Sequence, residues 1–237
     1  MKAIRVECRQ NMVNYRKPIT TIIKETYPLP PYSTLLGMIH YACDYKELHP
    51  MRLSIQGESF GTTSDLYTKY SFTPGGKYEA DRHQLIADGK YGIFKGIANT
   101  ELLCKIEMVF HIIPQEEDFE HVFQSLKYPR TFLALGRHED ILDITCVEEV
   151  ELTVMEEDMI SQYDMYIPVE LGINTGNIIT PTYQLHYQYY IDKKGIRRWN
   201  GDNGQVKAYH FPKGKFIEEN DNLYIDEKYQ TIVALTK

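Results

Sequence analysis

The sequence predicts an α+β fold, and three observations predict it. A strand pattern at the N-terminus is followed by a helix, two strand patterns then flank a long turn-rich insertion, and a second helix precedes another strand. This order, β-α-β-β-α-β, is that of the ferredoxin-like unit. We assign the unit to residues 1–155, with residues 61–100 as an inserted β-hairpin and residues 156–237 as a small β-rich C-terminal region.

The first strand and the first helix have clear signals. KAIRVECR (residues 2–9) alternates apolar with charged side chains, as a half-buried strand does. Prolines 28, 30 and 31 interrupt the irregular connection that follows, and STLLGMIHYAC is then long enough for about three helical turns. Ser33 or Thr34 is the expected N-cap of this helix.

The other elements follow in order. LSIQGESFG (residues 53–61) has a strand pattern, and residues 61–100 are dense in turn residues, Lys, Tyr and Thr, which favours a protruding hairpin or a flexible loop over a packed element. LLCKIEMVFHII is a strand that ends at Pro114, residues 116–128 form an amphipathic helix, and residues 141–155 alternate as a strand. TPTYQLHYQYYID and NLYIDEKYQTIVAL favour further strands near the C-terminus.

Composition excludes several classes of protein. No apolar run approaches the roughly 18–20 residues that span a bilayer. The N-terminus reads as a strand and not as a signal peptide. Four widely spaced cysteines predict buried thiols in a reducing cytoplasm, with neither a zinc site nor disulfides. We expect a cytoplasmic protein with no cofactor, no metal and no membrane contact.

The net charge of −7 argues against a nucleic-acid-binding protein, but the charge is unevenly distributed. Residues 1–137 carry 17 Lys/Arg and 15 Asp/Glu, and residues 193–237 carry 9 and 6. Residues 138–192 carry 12 acids and no Lys or Arg. Such asymmetry can hold an anion on one side and repel it from another. An ordinary solvated acidic face is the simpler explanation of the acidic block taken alone.

Two segments combine Gly, basic residues and the end of an element. YRKP contains Arg16 and Lys17, and LGRHED contains Gly136, Arg137 and His138. Gly136 permits close backbone approach, Arg137 is a forked cation suited to phosphate, and loops beside a ferredoxin-like sheet can bind RNA. The alternative for LGRHED is a surface turn with an Arg–acid pair.

The helix start in YPLPPYSTLLG is a further candidate phosphate site. The prolines fix the approach of the chain so that the helix starts at one place, with Ser33 or Thr34 as its cap and free N–H groups pointing outward. The alternative is a stiff loop that only anchors the helix to the sheet.

Eight histidines and 19 tyrosines raise the alternative of metal-independent RNA cleavage. His40, His83 and His138 are the candidates, but no pair has catalytic spacing, and neither metal-ligand spacing nor a P-loop is present. We assign no catalytic residue. A second basic segment, residues 193–215, interleaves seven Lys/Arg with Trp199 and Tyr209, and it fits either a phosphate-binding surface or a solvated turn.

Two segments carry a resemblance to a known family, namely MKAIRVECRQNMVNYRKPITTIIKETYPLPPYSTLLGMIHYAC (residues 1–43) and LALGRHEDIL (residues 133–142). Together they resemble the fifth Cas protein, a RAMP-superfamily subunit of CRISPR systems, in its type I-B form. The resemblance implies a ferredoxin-like or RRM-like domain with a protruding hairpin, the thumb, at residues 61–100. It also implies a non-catalytic subunit that caps the 5′ handle of crRNA in a Cascade complex. The implied partners are the backbone subunit and the large subunit, with target DNA contacted only indirectly.

Matched to this chain, the resemblance implies which residues meet the handle. They are Arg16, Lys17, Tyr32, Ser33, Thr34, Gly136, Arg137 and His138, with Lys69, Lys77, Arg82 and Lys95 as phosphate contacts of the thumb. In the type I-C branch this subunit itself cuts the repeat, so a metal-independent endoribonuclease is one alternative. A purely structural protein-interaction module is another.

Overall fold

The computed structural model describes residues 1–18, 20, 23–176, 178–199, 201 and 204–237. They contain two α-helices, α1 (Tyr32–Cys43) and α2 (Phe119–Lys127), and short 3-10 helices at Glu116–Asp118 and Val169–Leu171. No helix in these ranges is long and apolar enough to cross a membrane. The strands are β1 (Lys2–Val13), β2 (Ile23–Lys24), β3 (Met51–Lys77), β4 (Leu85–Ala87), β5 (Tyr91–Pro114), β6 (Asp143–Met155), β7 (Met159–Ile160), β8 (Asp164–Pro168), β9 (Thr182–His186), β10 (Tyr190–Ile191), β11 (Arg197–Arg198), β12 (Gln205–Phe211), β13 (Phe216–Ile217), β14 (Asn220–Asp226) and β15 (Thr231–Val233).

Eleven of these strands form one sheet. Its order is β15-β14-β6-β1-β5-β3-β8-β12-β9, with β2 and β4 paired to β5. The pairs are antiparallel except for β2, which runs parallel to β5. Both helices pack on one face, where apolar side chains such as Leu35 and Val122 share a core with alternate residues of the central strands. Burial of these apolar side chains holds the helices against the sheet.

The prediction of an α+β ferredoxin-like, RRM-like fold is wrong. The protein is mainly antiparallel β-structure, because α1 and α2 contain only 12 and 9 residues while β3 and β5 contain 27 and 24. C-terminal strands extend the sheet at both sides, since β14 pairs with β6 and β8 pairs with β3. An unpaired edge exposes backbone donors and acceptors, and these strands satisfy them. The division at residue 155 stays a prediction, and strands from both of its sides share the sheet.

The individual elements predicted within residues 1–155 are confirmed, but the N-cap of α1 is not. The helix begins at Tyr32, its N-cap is Pro31, and no side chain caps it. Pro31 is itself extended, with φ −59° and ψ 151°, so Ser33 and Thr34 already lie inside the first turn. The expectation that either of them is the N-cap is therefore wrong.

β3 and β5 form a long hairpin that extends beyond the body of the sheet. Pairing continues from Met51 and Pro114 out to Lys77 and Tyr91, and β4 pairs with the far part of β5. We call residues 61–100 the hairpin arm. Most of its residues are exposed, among them the apolar Leu66 and Ile97.

The sheet face opposite the helices is covered in part by the chain after β14. Arg5, only 1% exposed, lies beneath the ring of Tyr229, with its guanidinium carbon 3.6 Å from the ring centroid. Its Nε lies 3.4 Å from Asp226 Oδ2, and His111 Nε2 lies 2.9 Å from the same oxygen. This part of the face is therefore occupied by protein and is not open to RNA.

Candidate nucleic-acid interface

The ends of β1, β2 and β5 meet at the base of the hairpin arm. The side-chain amide of Asn14 donates to Lys24 O at 2.9 Å and to Glu101 O at 2.7 Å. Tyr15 N–H donates to Thr26 Oγ1 at 2.9 Å. These bonds satisfy backbone groups that the short β2 leaves unpaired, and they hold the segment with Arg16 against the base of the arm.

The turn containing Gly136 packs directly on the end of β1. Gly136 has φ +109°, which L-residues rarely adopt. A Cβ there would lie 2.9 Å from both Val13 Cγ2 and Asp140 Oδ2, and 3.1 Å from Asn14 O. The packing of this turn therefore requires glycine at position 136. The turn places Arg137 beside the end of β1.

Asp140 fixes the orientation of Arg137. Its buried carboxylate accepts hydrogen bonds from Arg137 N (2.9 Å), Nε (3.1 Å) and Nη2 (2.7 Å), and from Asn14 N (3.3 Å). Arg137 Nη1 also lies 2.9 Å from Glu139 Oε1. These carboxylates, Asp140 first, raise the pKa of Arg137. The guanidinium is therefore rigidly placed, and much of its charge is already balanced.

Four cations from separate segments come together around this turn, and we call Arg16, Lys24, Lys69 and Arg137 the cation cluster. Burial lowers the pKa of Lys24, repulsion from the three other cations lowers it further, and Glu139 offsets part of that repulsion. Lys24 Nζ also contacts the Tyr67 hydroxyl and lies 4.6 Å from the centre of the Tyr67 ring. A bound anion would relieve the repulsion.

Three of the residues predicted to meet RNA belong to the cation cluster, and Lys24 is an addition. Nothing in the local pattern marks Lys24, because it is a single Lys in an irregular connection. Lys17 lies next to the cluster and pairs with Glu25 at 3.2 Å. His138 is 98% exposed and lies 3.0 Å from Glu139.

The other predicted contacts lie elsewhere. Tyr32 is 0% exposed, and its ring packs with those of Tyr166 and Tyr187. Ser33 and Thr34 are half-buried in the first turn of α1. The remaining cations lie farther out on the hairpin arm, namely Lys77, Arg82 and Lys95.

A second group of polar side chains, which we call the His–Tyr cluster, lies near the end of α1. His49 Nδ1 is 2.8 Å from Asp118 Oδ2, and the Tyr45 hydroxyl donates to Asp118 Oδ1 at 2.9 Å. The Tyr45 and His49 rings stack at 3.6 Å, and the His121 ring lies 5.4 Å from that of Tyr45. Burial opposes ionisation of Asp118, but the bonds from His49 and Tyr45 lower its pKa overall.

Two of the three histidines singled out from the sequence, His40 and His83, have structural roles. His40 Nδ1 lies 2.8 Å from Leu36 O, and its Nε2 accepts from His49 N–H at 2.9 Å. His83 is buried, and its ring centroid lies 4.6 Å from that of Phe94. The His–Tyr cluster was missed because 69 residues separate His49 from Asp118, and no spacing marks the pair.

Comparison with known proteins connects this geometry to a family. A solved chain described as a CRISPR RNA-guided surveillance complex is 16% identical, with 90% of each chain covered and a TM-score of 0.56. A CRISPR protein from Archaeoglobus fulgidus is 13% identical, covers 100% of this chain and 99% of its own, and has a TM-score of 0.51. At these identities the likeness establishes a shared fold. No curated protein sequence matches.

A family model described as CRISPR-associated protein (Cas_Cas5) matches residues 3–198. The matched range includes both YPLPPYSTLLG and LGRHED, the segments that carry the resemblance found in the sequence. It confirms that resemblance without singling out the type I-B branch. The chain therefore belongs to the Cas5 family of CRISPR-associated proteins.

Proposed function

We propose that this chain binds the repeat-derived 5′ handle of a crRNA and caps that end of a type I Cascade effector complex without cutting RNA. The observation that carries the proposal is the base of the hairpin arm, where Asn14 binds both Lys24 O and the Asp140 carboxylate and where Arg16, Lys69 and Arg137 repel the charge of Lys24. Repulsion among fixed cations favours a ligand with closely spaced negative charges, and a phosphodiester backbone has them.

Each member of the interface has a separate task. Arg16, Lys24 and Lys69 contact phosphates as charges, while Arg137, held by Asp140, keeps the turn in register with β1. The hairpin arm separates handle from guide, with Lys77, Arg82 and Lys95 as its outer phosphate contacts. Membership of the Cas5 family supports this assignment, whereas the type I-B branch stays a prediction.

The partners follow from the same proposal. The likeness to a chain of a CRISPR RNA-guided surveillance complex supports assembly with a backbone subunit and a large subunit in the cytoplasm. Target DNA is then contacted only indirectly. Because the net charge is −7, binding of the isolated chain to RNA is expected to be weak and to depend strongly on salt.

The test is binding of labelled repeat RNA in EDTA, with and without the neighbouring subunits. Replacing Arg16, Lys24 and Lys69 by Ala should lower the slope of log affinity against log salt by about 2, at roughly 0.7 per lost contact on single-stranded RNA. The matched control replaces three exposed lysines outside the cluster, Lys46, Lys127 and Lys215. An equal decrease of this slope in the two variants contradicts the proposal. Assembly that does not depend on RNA supports the structural module instead.

The His–Tyr cluster favours one other candidate function, metal-independent cleavage of repeat RNA. Asp118 orients His49, and Tyr45 provides a hydroxyl on the same carboxylate, so a proton acceptor and a proton donor are adjacent. Cleavage in EDTA by the native chain, lost in His49→Ala and in Tyr45→Phe, would replace the non-catalytic proposal. Binding without cleavage supports it.

A further inference from the structure

The structure contains a second basic surface that the handle proposal does not use. β10, β11 and the turn between them form a two-stranded sheet separate from the 11-stranded one, and we call residues 190–198 the basic hairpin. It carries Lys193, Lys194, Arg197 and Arg198 against a single acid, Asp192. We propose that the basic hairpin binds the phosphodiester backbone of a nucleic acid at a site separate from the cation cluster.

The single acid of the basic hairpin is used inside the turn. The Asp192 carboxylate accepts from Lys194 N–H and Ile196 N–H, both at 2.9 Å, and from Arg198 Nε at 3.0 Å. Gly195 completes the turn at φ +74°. Asp192 therefore shapes the turn, and its carboxylate is used there by the backbone and by Arg198.

The two lysines at the tip are open to a ligand. Lys193 and Lys194 are both exposed, and within the described ranges neither ammonium group has an ion-pair partner. An ammonium group on a defined turn loses less freedom on binding than one on a disordered tail. The tip thus presents two positive charges that no acid among the described residues compensates.

The basic hairpin is anchored to the body of the protein. The Arg197 guanidinium carbon lies 4.5 Å from the ring centroid of Tyr189, and Tyr189 packs 6.1 Å from His40 in α1. Trp199 is half-buried and stacks on His186 at 5.0 Å, so it acts as an anchor. Asn200, Asp202 and Asn203, in the same basic segment of the sequence, lie outside the described residues.

The basic hairpin and the cation cluster lie at different levels of the sheet. Tyr187, just before the basic hairpin, contacts Met51 O at the start of β3. Lys24 pairs with Thr100, which lies opposite Asp65 of β3. Met51 and Asp65 are fourteen residues apart, so a path of about 46 Å along β3 lies between these two points. A short handle held at the cation cluster therefore leaves the basic hairpin for other nucleic acid.

The composition of the basic hairpin favours nucleic acid over an acidic protein. Lys is depleted at protein–protein interfaces, which rely on an apolar core. Lys and Arg provide most contacts to phosphates, and such contacts do not require a particular base sequence. RNA and DNA share the phosphodiester chemistry, so both are probes in the test.

The experiment measures binding of the full chain to an unrelated single-stranded RNA, a DNA duplex and polyglutamate across a range of salt concentrations. Lys193→Ser/Lys194→Ser should lower the slope of log affinity against log salt by about 1.8 on the duplex or about 1.4 on the RNA. The probe that responds identifies the natural form. The control, Lys207→Ser/Lys215→Ser, removes the same charge from exposed positions outside the basic hairpin and should leave the slope unchanged.

The variant lacking Arg16, Lys24 and Lys69 separates this inference from the handle proposal. If that variant loses preference for handle RNA but retains the dependence on Lys193 and Lys194, both assignments stand. If the native chain shows no preference for handle RNA over unrelated RNA, only the handle proposal fails. Three outcomes overturn the assignment of the basic hairpin. They are an unchanged slope in Lys193→Ser/Lys194→Ser, an equal change of the slope in the control, and displacement of nucleic acid by polyglutamate.

Discussion

Replacing Asp140 by Asn tests whether one buried carboxylate organises the candidate interface. The carboxylate accepts four N–H groups, three from Arg137 and one from Asn14. Its side chain is 1% exposed, so water cannot take its place. The Asn side chain has nearly the same shape, but its NH2 group faces donors instead of accepting from them. The substitution therefore removes charge and hydrogen bonding while it keeps the volume.

The magnitude follows from how buried each partner is. Breaking a fully buried ion pair costs about 3–5 kcal/mol. The Arg137 side chain is 31% exposed and keeps Glu139 as a partner, so the expected loss is that of a charged hydrogen-bonded group, about 1.5–3 kcal/mol. For a chain of this size 1 kcal/mol shifts Tm by about 2–4 °C. Tm should fall by about 3–12 °C.

Thermal denaturation followed by circular dichroism measures the effect. Glu139→Gln is the matched control, since Glu139 pairs with the same Arg137 from an exposed position, and it should change Tm by less than about 2 °C. In an Arg137→Ala background the cost of Asp140→Asn should fall to less than half. An Asp140→Asn Tm equal to that of Glu139→Gln, or an undiminished cost in the Arg137→Ala background, refutes the reasoning.

Gly136→Ala should destabilise the fold by about 1–3 kcal/mol in urea denaturation, because φ +109° strains an L-residue and its Cβ meets Val13 and Asp140. Gly37→Ala in α1, where a Cβ has no neighbour within 4 Å, should instead stabilise by up to about 1 kcal/mol, and equal effects would contradict this account. Asp226→Asn should cost about 1.5–3 kcal/mol, since the buried carboxylate lies beside Arg5 and accepts hydrogen bonds from Lys228 N–H and Tyr229 N–H while Arg5 keeps Glu7 as a partner, and a loss below about 1 kcal/mol argues against that pairing. Burial lowers the pKa of His40 below 6.5, so the unfolded chain binds a proton that the folded chain does not. Stability should fall as pH drops below about 6.5, and a urea midpoint at pH 5.5 equal to that at pH 7.5 contradicts this.

Local pattern was sufficient for the elements of the first 155 residues and for one part of the interface. Alternation marked β1, and the apolar stripe marked α2, because both depend only on neighbouring residues. Gly136 and Arg137 were also found, since a Gly–Arg pair at the end of an element is a local signal. The positive φ and the close packing at that glycine serve the turn itself, whereas close approach of a ligand there stays a prediction.

Two groups of side chains in the structure combine residues that are far apart in the chain, and local sequence patterns did not predict them. Lys24 joins the cation cluster only because Asn14 binds both Lys24 O and Glu101 O. The His–Tyr cluster forms only because α1 and α2 pack side by side, which brings Asp118 to His49. Neither arrangement has a spacing that a single sequence reveals.

By itself the sequence determined where the helices and strands of the first 155 residues lie and which family the chain resembles, because each is encoded in short stretches. Only the tertiary structure decided which strands pair, and that decided the fold class, since periodicity shows that a strand has a buried face but does not name its partner. The tertiary structure also decided which charges act. It pairs Arg137 with Asp140 and places Arg16, Lys24 and Lys69 near Arg137. It also directs the Asp192 carboxylate into the turn, so that the tip of the basic hairpin stays positive. Electrostatic interactions depend on distance and burial, and folding alone sets both.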